Sequence, residues 1–265
     1  MNSAQSGKQT LIVPDKDADG LSSGAILRHT LMLLGLPADR IAVHLLSKGH
    51  TIHSDSEREQ MAAHKPAYIF IVDHGSRSGP PVIDAPDTKT LIIDHHHATD
   101  ADFPKGSEHV TACFSPPVAT SSLLTYEICE PLHREVRDRC AWLCIVGTHG
   151  DLGNTLKWEP PFPDMREPMK RYTKKVLNDV VSLVNAPRRT AAYDVSTLID
   201  MILCGYVRPF ADATTRYDQH GTPSAKQPTQ PPSSRSRVSS PHEQKSTQKS
   251  NAAPTRRRNS PQTAK

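Results

Sequence analysis

Three aspartates occupy alternate positions in DKDADG, residues 15–20: Asp15, Asp17 and Asp19, closed by Gly20. Carboxylates held this close repel one another unless a cation or water gathers them. More groups of the same chemistry lie downstream: Asp73 in IVDHG, Asp94, His95, His96 and His97 in IIDHHH, and Asp151 in GTHGD. A mixed carboxylate and imidazole set suits Mn²⁺, Mg²⁺, Fe or Zn rather than Ca²⁺. The set is large enough for two ions, and a pair of ions ~3.5–4 Å apart serves phosphoryl displacement by an activated water. D-x-D-x-D-G is also the first half of an EF-hand loop. That reading fails on spacing: counting Asp15 as position 1, position 12 is Ile26, where a bidentate glutamate is required.

The elements that must position these groups are legible in outline. TLIVP (10–14), IAVHLL (41–46), AYIFIV (67–72) and TLIID (90–94) read as strands without alternation, buried on both faces as in a parallel sheet. Helices over 21–34 and about 54–63 alternate with them, which predicts an α/β, doubly wound, mostly parallel sheet. Beyond residue 115 the pattern turns helical, over 118–129, 134–148, 169–184 and 194–204, with a proline-rich loop at WEPPFPD (158–164). Asp151 is expected just after the 134–148 helix. Three expected strands run directly into the acidic motifs. In an open parallel sheet the carboxyl ends of the strands share one edge, so these groups converge despite their separation in sequence.

In order and spacing, DKDADG, IVDHG, IIDHHH and GTHGD resemble the four motifs of the DHH phosphoesterases, over about residues 9–210. NAPRRT (185–190) resembles the N-A-x-x-R segment that follows the catalytic domain in RecJ-like members. The resemblance implies a hydrolase of phosphate esters or anhydrides, acting on nucleic-acid ends or small nucleotides. It implies two divalent ions, Mn²⁺ or Mg²⁺, that activate a water. Asp17 and Asp19 would each bind one ion, Asp73 would bridge them, and His95 with Asp151 would complete the second ion's shell. His96 would face the scissile phosphate, and Asp94 would orient a histidine. Asp15 fits the first acidic position of the RecJ-like pattern, as ligand or outer partner. Family members usually carry a second domain that closes over the site. No Gly-Gly-His-type segment follows NAPRRT, so the expectation is a chain lacking the usual C-terminal substrate-binding domain, either as a truncated form or as a minimal one that borrows its lid from a partner protein.

Simpler readings attach to single residues. For Asp19 taken alone the simpler reading is a helix cap, since aspartates after strands often cap helices. His74 and His149 read as solvated loop residues, and His44, His50, His53 and His64 as surface residues. Gly20, Gly75, Gly147 and Gly150 read as turn glycines flanking the site. Two other functions compete with hydrolysis by metal-activated water. One is a non-catalytic scaffold on a DHH domain. The other is a haloacid-dehalogenase-like phosphatase with Asp15 as nucleophile, which has no use for D-H-H.

The bulk properties divide the chain. From Asp218 to Lys265 there is no Leu, Ile, Met, Phe, Trp or Tyr, and the net charge is +7. The whole chain is +4, so residues 1–217 carry −3, and the basic character belongs to the tail. Three regions are expected: a DHH catalytic α/β domain over 1–155, a helical connector over 156–213, and a disordered basic Ser/Pro-rich tail over 214–265 that contacts polyanions. Five cysteines without a C-x-x-C pair, and no apolar leader or 18-residue apolar run, suit reduced thiols, an intracellular location and no membrane span.

Overall fold

The computed structural model describes residues 2–189. The helix expected over 194–204, Cys204 and the tail from residue 214 lie outside them. A short helix, α1 (Asn2–Ser6), precedes an alternation of β1 (Thr10–Pro14), α2 (Ala18–Leu33), β2 (Ile41–Val43), α3 (Asp55–Ala63), β3 (Tyr68–Val72), β4 (Lys89–Ile93) and β5 (Ser107–Val110). Four helices follow: α4 (Ser121–Cys129), α5 (Val136–Leu152), α6 (Arg166–Tyr172) and α7 (Lys174–Asn185). All strand pairs are parallel, in the order β2-β1-β3-β4-β5. The doubly wound α/β expectation therefore holds.

Alternate residues of the central strands feed two apolar layers. Ile12, Val72 and Ile93 face α2, α4, α5 and α7. Leu11, Val13, Ile69, Ile71 and Ile92 face Met61 of α3 with Ile52, Val82 and Phe103. Every residue of β1 is buried, which is why the strand carries no polar alternation. Helix α2 is buried nearly all round, between the sheet and α5, and its run of small residues permits the close approach. Helix α7 is the opposite case, burying only the stripe Leu177, Val180 and Val184.

The boundaries shift in ways that matter for chemistry. Helix α2 begins at Ala18 rather than 21, so Asp19 is helical. Helix α5 runs on to Leu152, which places Asp151 in its last turn rather than after it. The expected strand over 41–46 ends at Val43, and the expected helix over 169–184 is two helices broken at Thr173, whose φ is +56°. Among the described residues, no helix is long and apolar enough to cross a membrane, and Cys113, Cys129, Cys140 and Cys144 are free thiols.

Candidate metal centre

Because β1 sits between β2 and β3, chain direction across the sheet reverses beside it, and the crevice at that point is where open α/β sheets bind ligands. Asp15 follows β1 there, its N–H donating to the Val72 carbonyl at 3.1 Å. Asp17 caps α2: its Oδ1 accepts from the N–H groups of Asp19 (3.1 Å) and Gly20 (3.0 Å). The capping role therefore belongs to Asp17. Asp19 itself is fully buried and reaches a second helix. Its Oδ2 accepts from Ser121 N–H at 2.8 Å and its Oδ1 from Ser122 N–H at 3.0 Å, at the positive start of α4.

Asp73 leaves β3 with φ +67°, a region that non-glycine residues rarely occupy, and Gly75 follows at φ +105°. The buried Asp73 carboxyl is held from one side by Ser121, whose hydroxyl donates to Oδ1 at 3.0 Å. The same hydroxyl accepts from His95 N–H at 3.2 Å. Backbone strain of this kind collects at functional sites. Burial, followed by the neighbouring charges of Asp19 and Asp17, pushes the Asp73 carboxyl up to about 12.

After β4 the three histidines diverge. The ring Nε2 of His95 is buried 3.0 Å from Asp151 Oδ2, 3.4 Å from Asp73 Oδ1 and 3.9 Å from Asp19 Oδ2. It makes no well-directed hydrogen bond with any of them. His96 turns outward, with its side chain 61% exposed and its Nδ1 2.7 Å from Asp94 Oδ1. Buried Asp94 also accepts from the N–H groups of His96 (3.2 Å) and Ser76 (3.1 Å). Burial raises its carboxyl, but these bonds outweigh that and hold it well below the usual carboxylate range. His97 points elsewhere, edge-on to the exposed Phe114 ring at 4.9 Å.

Potential ligand atoms thus fall into groups that share one residue. Ligand atoms of Asp15, Asp17 and Asp73 lie within 4.8 Å of one another, as do those of Asp19, Asp73, His95 and Asp151; Asp73, His95 and His96 form a third group. The crevice brings together Asp15, Asp17, Asp19, Asp73, Asp151, His95 and His96, while Asp94 stands outside these groups beside His96. The donor set fits a divalent cation, because carboxylates crowd around a buried imidazole nitrogen that has no hydrogen-bond partner.

Two neighbours had no signal in the sequence, and two more lie in NAPRRT, a segment that stands out in the sequence without showing what it touches. Ser121 and Ser122 look like ordinary helix starters, yet they order Asp19, Asp73 and His95. Arg188, at the turn after α7, places Nη1 2.6 Å from Asp17 Oδ2, while Asn185 Oδ1 accepts from Ala18 N–H at 3.0 Å. The N-A-x-x-R pattern puts its arginine at 189, one residue beyond the contact. Three histidines depart from the solvated reading. His74 Nε2 lies 2.9 Å from the Val13 carbonyl, and His149 is buried with Nδ1 3.3 Å from Asn178 Oδ1. His44 is buried beside Glu57, at 2.7 Å. Of the four glycines read as turn residues only Gly75 lies outside a helix; Gly20 is in α2 and Gly147 and Gly150 are in α5, where they allow close approach: a Cβ on Gly20 would lie 2.6 Å from the Asp15 carbonyl oxygen.

Beside the centre, Asp15, Asp94 and His96 line a cleft of about 290 Å³ with His50, His53, His74 and Arg77. Its far wall is the loop between β2 and α3, which Glu57 holds from beneath. The buried Glu57 carboxylate meets His44, His50 (2.8 Å) and Ser47 N–H (2.9 Å). Burial raises this carboxyl, but the bonds from Ser47, His44 and His50 prevail and lower it to about 2. A lowered folded value means the stabilisation is present above the ordinary value of about 4.5 and lost between there and about 2. Thermal melting of wild type should fall across that window more steeply than that of Glu57→Gln. Parallel curves for the two proteins would refute the assignment.

A parallel α/β domain with an acidic and imidazole cluster at its switch crevice is the class that fold and site define. The description of the DHH family, N-terminal domain, matches residues 9–148, more than half of the chain, and the chain belongs to that family. No curated protein matches it. Among solved structures it resembles exonuclease RecJ bound to manganese, at 19% identity and TM-score 0.57, covering 77% of this chain and 58% of that one. RecJ in complex with Mn²⁺ from Thermus thermophilus gives 19% identity and TM-score 0.53, covering 77% and 32%. The DHH domain of a member of a family of ribosomal proteins gives 18% and 0.55, covering 76% and 52%. The chain therefore spans between a third and three fifths of these relatives' lengths.

Proposed function

We propose that this protein is a metal-dependent phosphoesterase acting on nucleic-acid ends or small nucleotides, with Mn²⁺ as the preferred ion and Mg²⁺ as a substitute. The observation that carries this reading is the position of Asp73, within ligand distance of two otherwise separate groups of donors. Asp15 and Asp17 with Asp73 would hold one ion; Asp19, His95 and Asp151 with Asp73 would hold the other. Bound there, the ions would supply Lewis acidity and a water of lowered pKa. The remaining work falls to side chains. Ser121 fixes the faces that Asp73 and His95 present. The Asp94 carboxylate at His96 Nδ1 raises the pKa of that exposed ring and favours the imidazolium, whose Nε2–H would then donate to a phosphate oxygen. Burial of Asp19 and Asp73 removes the water that would otherwise screen the site.

The test is hydrolysis of end-labelled single-stranded oligonucleotides and a chromogenic phosphodiester in Mn²⁺, with His96→Ala for comparison. Wild type should turn over, and His96→Ala should bind Mn²⁺ comparably yet lose about 10²–10³ in rate, as for loss of one charge-stabilising donor. Absence of wild-type hydrolysis across both substrates, or an undiminished rate in the variant, would sink the reading.

A further inference from the structure

The turn after α7 reaches the centre at the Asp17 carboxylate. Asp17 Oδ1 already accepts two backbone N–H groups as the cap of α2, which saturates that oxygen. Oδ2 is the atom left to serve a cation in the Asp15, Asp17 and Asp73 group, and the Arg188 guanidinium lies on it at 2.6 Å. This contact spans 171 residues of sequence, and Asn185 supports it by accepting from Ala18 N–H one position further on. A guanidinium and a divalent cation on the same carboxylate oxygen repel each other, in a crevice whose walls screen them less than water does.

We propose that Arg188 is a metal-responsive latch: it supplies positive charge to the Asp15, Asp17 and Asp73 group, and cation binding and the Arg188–Asp17 pair oppose one another. The inference rests on the reading of this cluster as a metal centre. Linkage makes the effect reciprocal. If Arg188 weakens cation binding, then a bound cation loosens the 185–189 turn by the same factor, so the segment leaving α7 reports whether the centre is loaded. Arg188 is well placed for that role because its side chain is 40% exposed, on the solvent side of Asp17, whose own side chain is 17% exposed. Arg189 makes no ion pair among the described residues and serves as the matched control.

Mn²⁺ titration by calorimetry on the full chain decides the sign. Arg188→Ala should bind its tighter Mn²⁺ about tenfold more strongly than wild type, within the usual range of such couplings, while Arg189→Ala should match wild type. In wild type, Mn²⁺ should accelerate trypsin cleavage after Arg188 and Arg189, followed by the masses of the fragments. That readout needs neither a variant nor turnover. Equal or weaker Mn²⁺ binding by Arg188→Ala, or protection of those bonds by Mn²⁺, overturns the latch while leaving the metal centre intact. Absence of Mn²⁺ uptake by any of the three proteins overturns the centre and the latch together.

Discussion

Without metal, Asp73→Asn should melt above wild type at pH 7, by about 3 °C or more, the shift that roughly 1 kcal/mol produces in a domain of this size. In saturating Mn²⁺ the order should reverse. The cause is the charge crowded around one buried side chain. Burial, and then Asp19 and Asp17, push the Asp73 carboxyl up to about 12, far above its unfolded value of about 3.9. A folded value raised in this way costs the metal-free fold stability once pH exceeds the unfolded value, and the cost grows with pH between the two. Asparagine keeps the shape and removes that cost. It also removes the carboxylate shared by both ligand groups. Wild type gains stability from a bound ion by mass action, about 2.7 kcal/mol at a hundred times Kd, and the variant should forgo most of that. Its phosphodiester hydrolysis should fall at least about 10²-fold. Scanning calorimetry of both proteins in EDTA and in Mn²⁺ checks the crossing. A variant that melts lower in EDTA refutes the charge argument, and one that keeps the full Mn²⁺-induced rise refutes the shared ligand.

The split between what the sequence disclosed and what it hid follows from how each residue comes to its place. The strands beneath the site announce themselves because a parallel strand buried on both faces is apolar throughout, and an acid at its end stands out. β5, with the sequence SEHV, lies on the sheet edge and has no fully buried residue, so it carries no such mark. Asp15, Asp17, Asp19, Asp73 and the D-H-H run were legible as a set because unneutralised carboxylates are costly and few structural reasons gather them. Ser121 was not, because a serine at a helix start is ordinary, and only the three-dimensional return of α4 to Asp73 and His95 makes it part of the centre. Arg188 lies in the NAPRRT segment that stands out in the sequence, but the pattern points to Arg189, and nothing in the sequence marks Asp17, 171 positions away, as the partner of Arg188. His44 illustrates the limit of polarity as a guide: it reads as a surface residue, yet it is buried because Glu57, itself held by Ser47 N–H and His50, satisfies it.

Gly147→Ala should cost about 3 kcal/mol or more, at the upper end of the range for overpacking a filled core. Melting should fall by roughly 6–12 °C at 2–4 °C per kcal/mol. The cost is set by what α5 touches. A Cβ on Gly147 would lie 2.5 Å from Ser122 Cβ, closer still to the Ser122 hydroxyl, and 2.8 Å from Asp19 Oδ1. Real Cβ atoms essentially never sit within 3.0 Å of such neighbours. None of the three can retreat cheaply. Ser122 is fixed in the first turn of α4, its hydroxyl 3.1 Å from Thr120 Oγ1, and Asp19 is tied to the Ser121 and Ser122 N–H groups. The helices must separate, and because Asp151 rides on the last turn of α5, the Asp19, His95 and Asp151 group should open with them. Mn²⁺ affinity should therefore fall along with stability. Gly24→Ala is the contrast, since its added Cβ meets Pro14 Cβ at 3.2 Å, a contact that a few tenths of an ångström relieves. Ser122→Gly, which removes both the hydroxyl and the Cβ that obstruct residue 147, should restore part of the melting temperature in the Gly147→Ala background. A Gly147→Ala protein that melts within about 2 °C of wild type, less than 1 kcal/mol produces, or a Ser122→Gly change that only adds to the loss, would show that the gap between α4 and α5 is not what positions the centre.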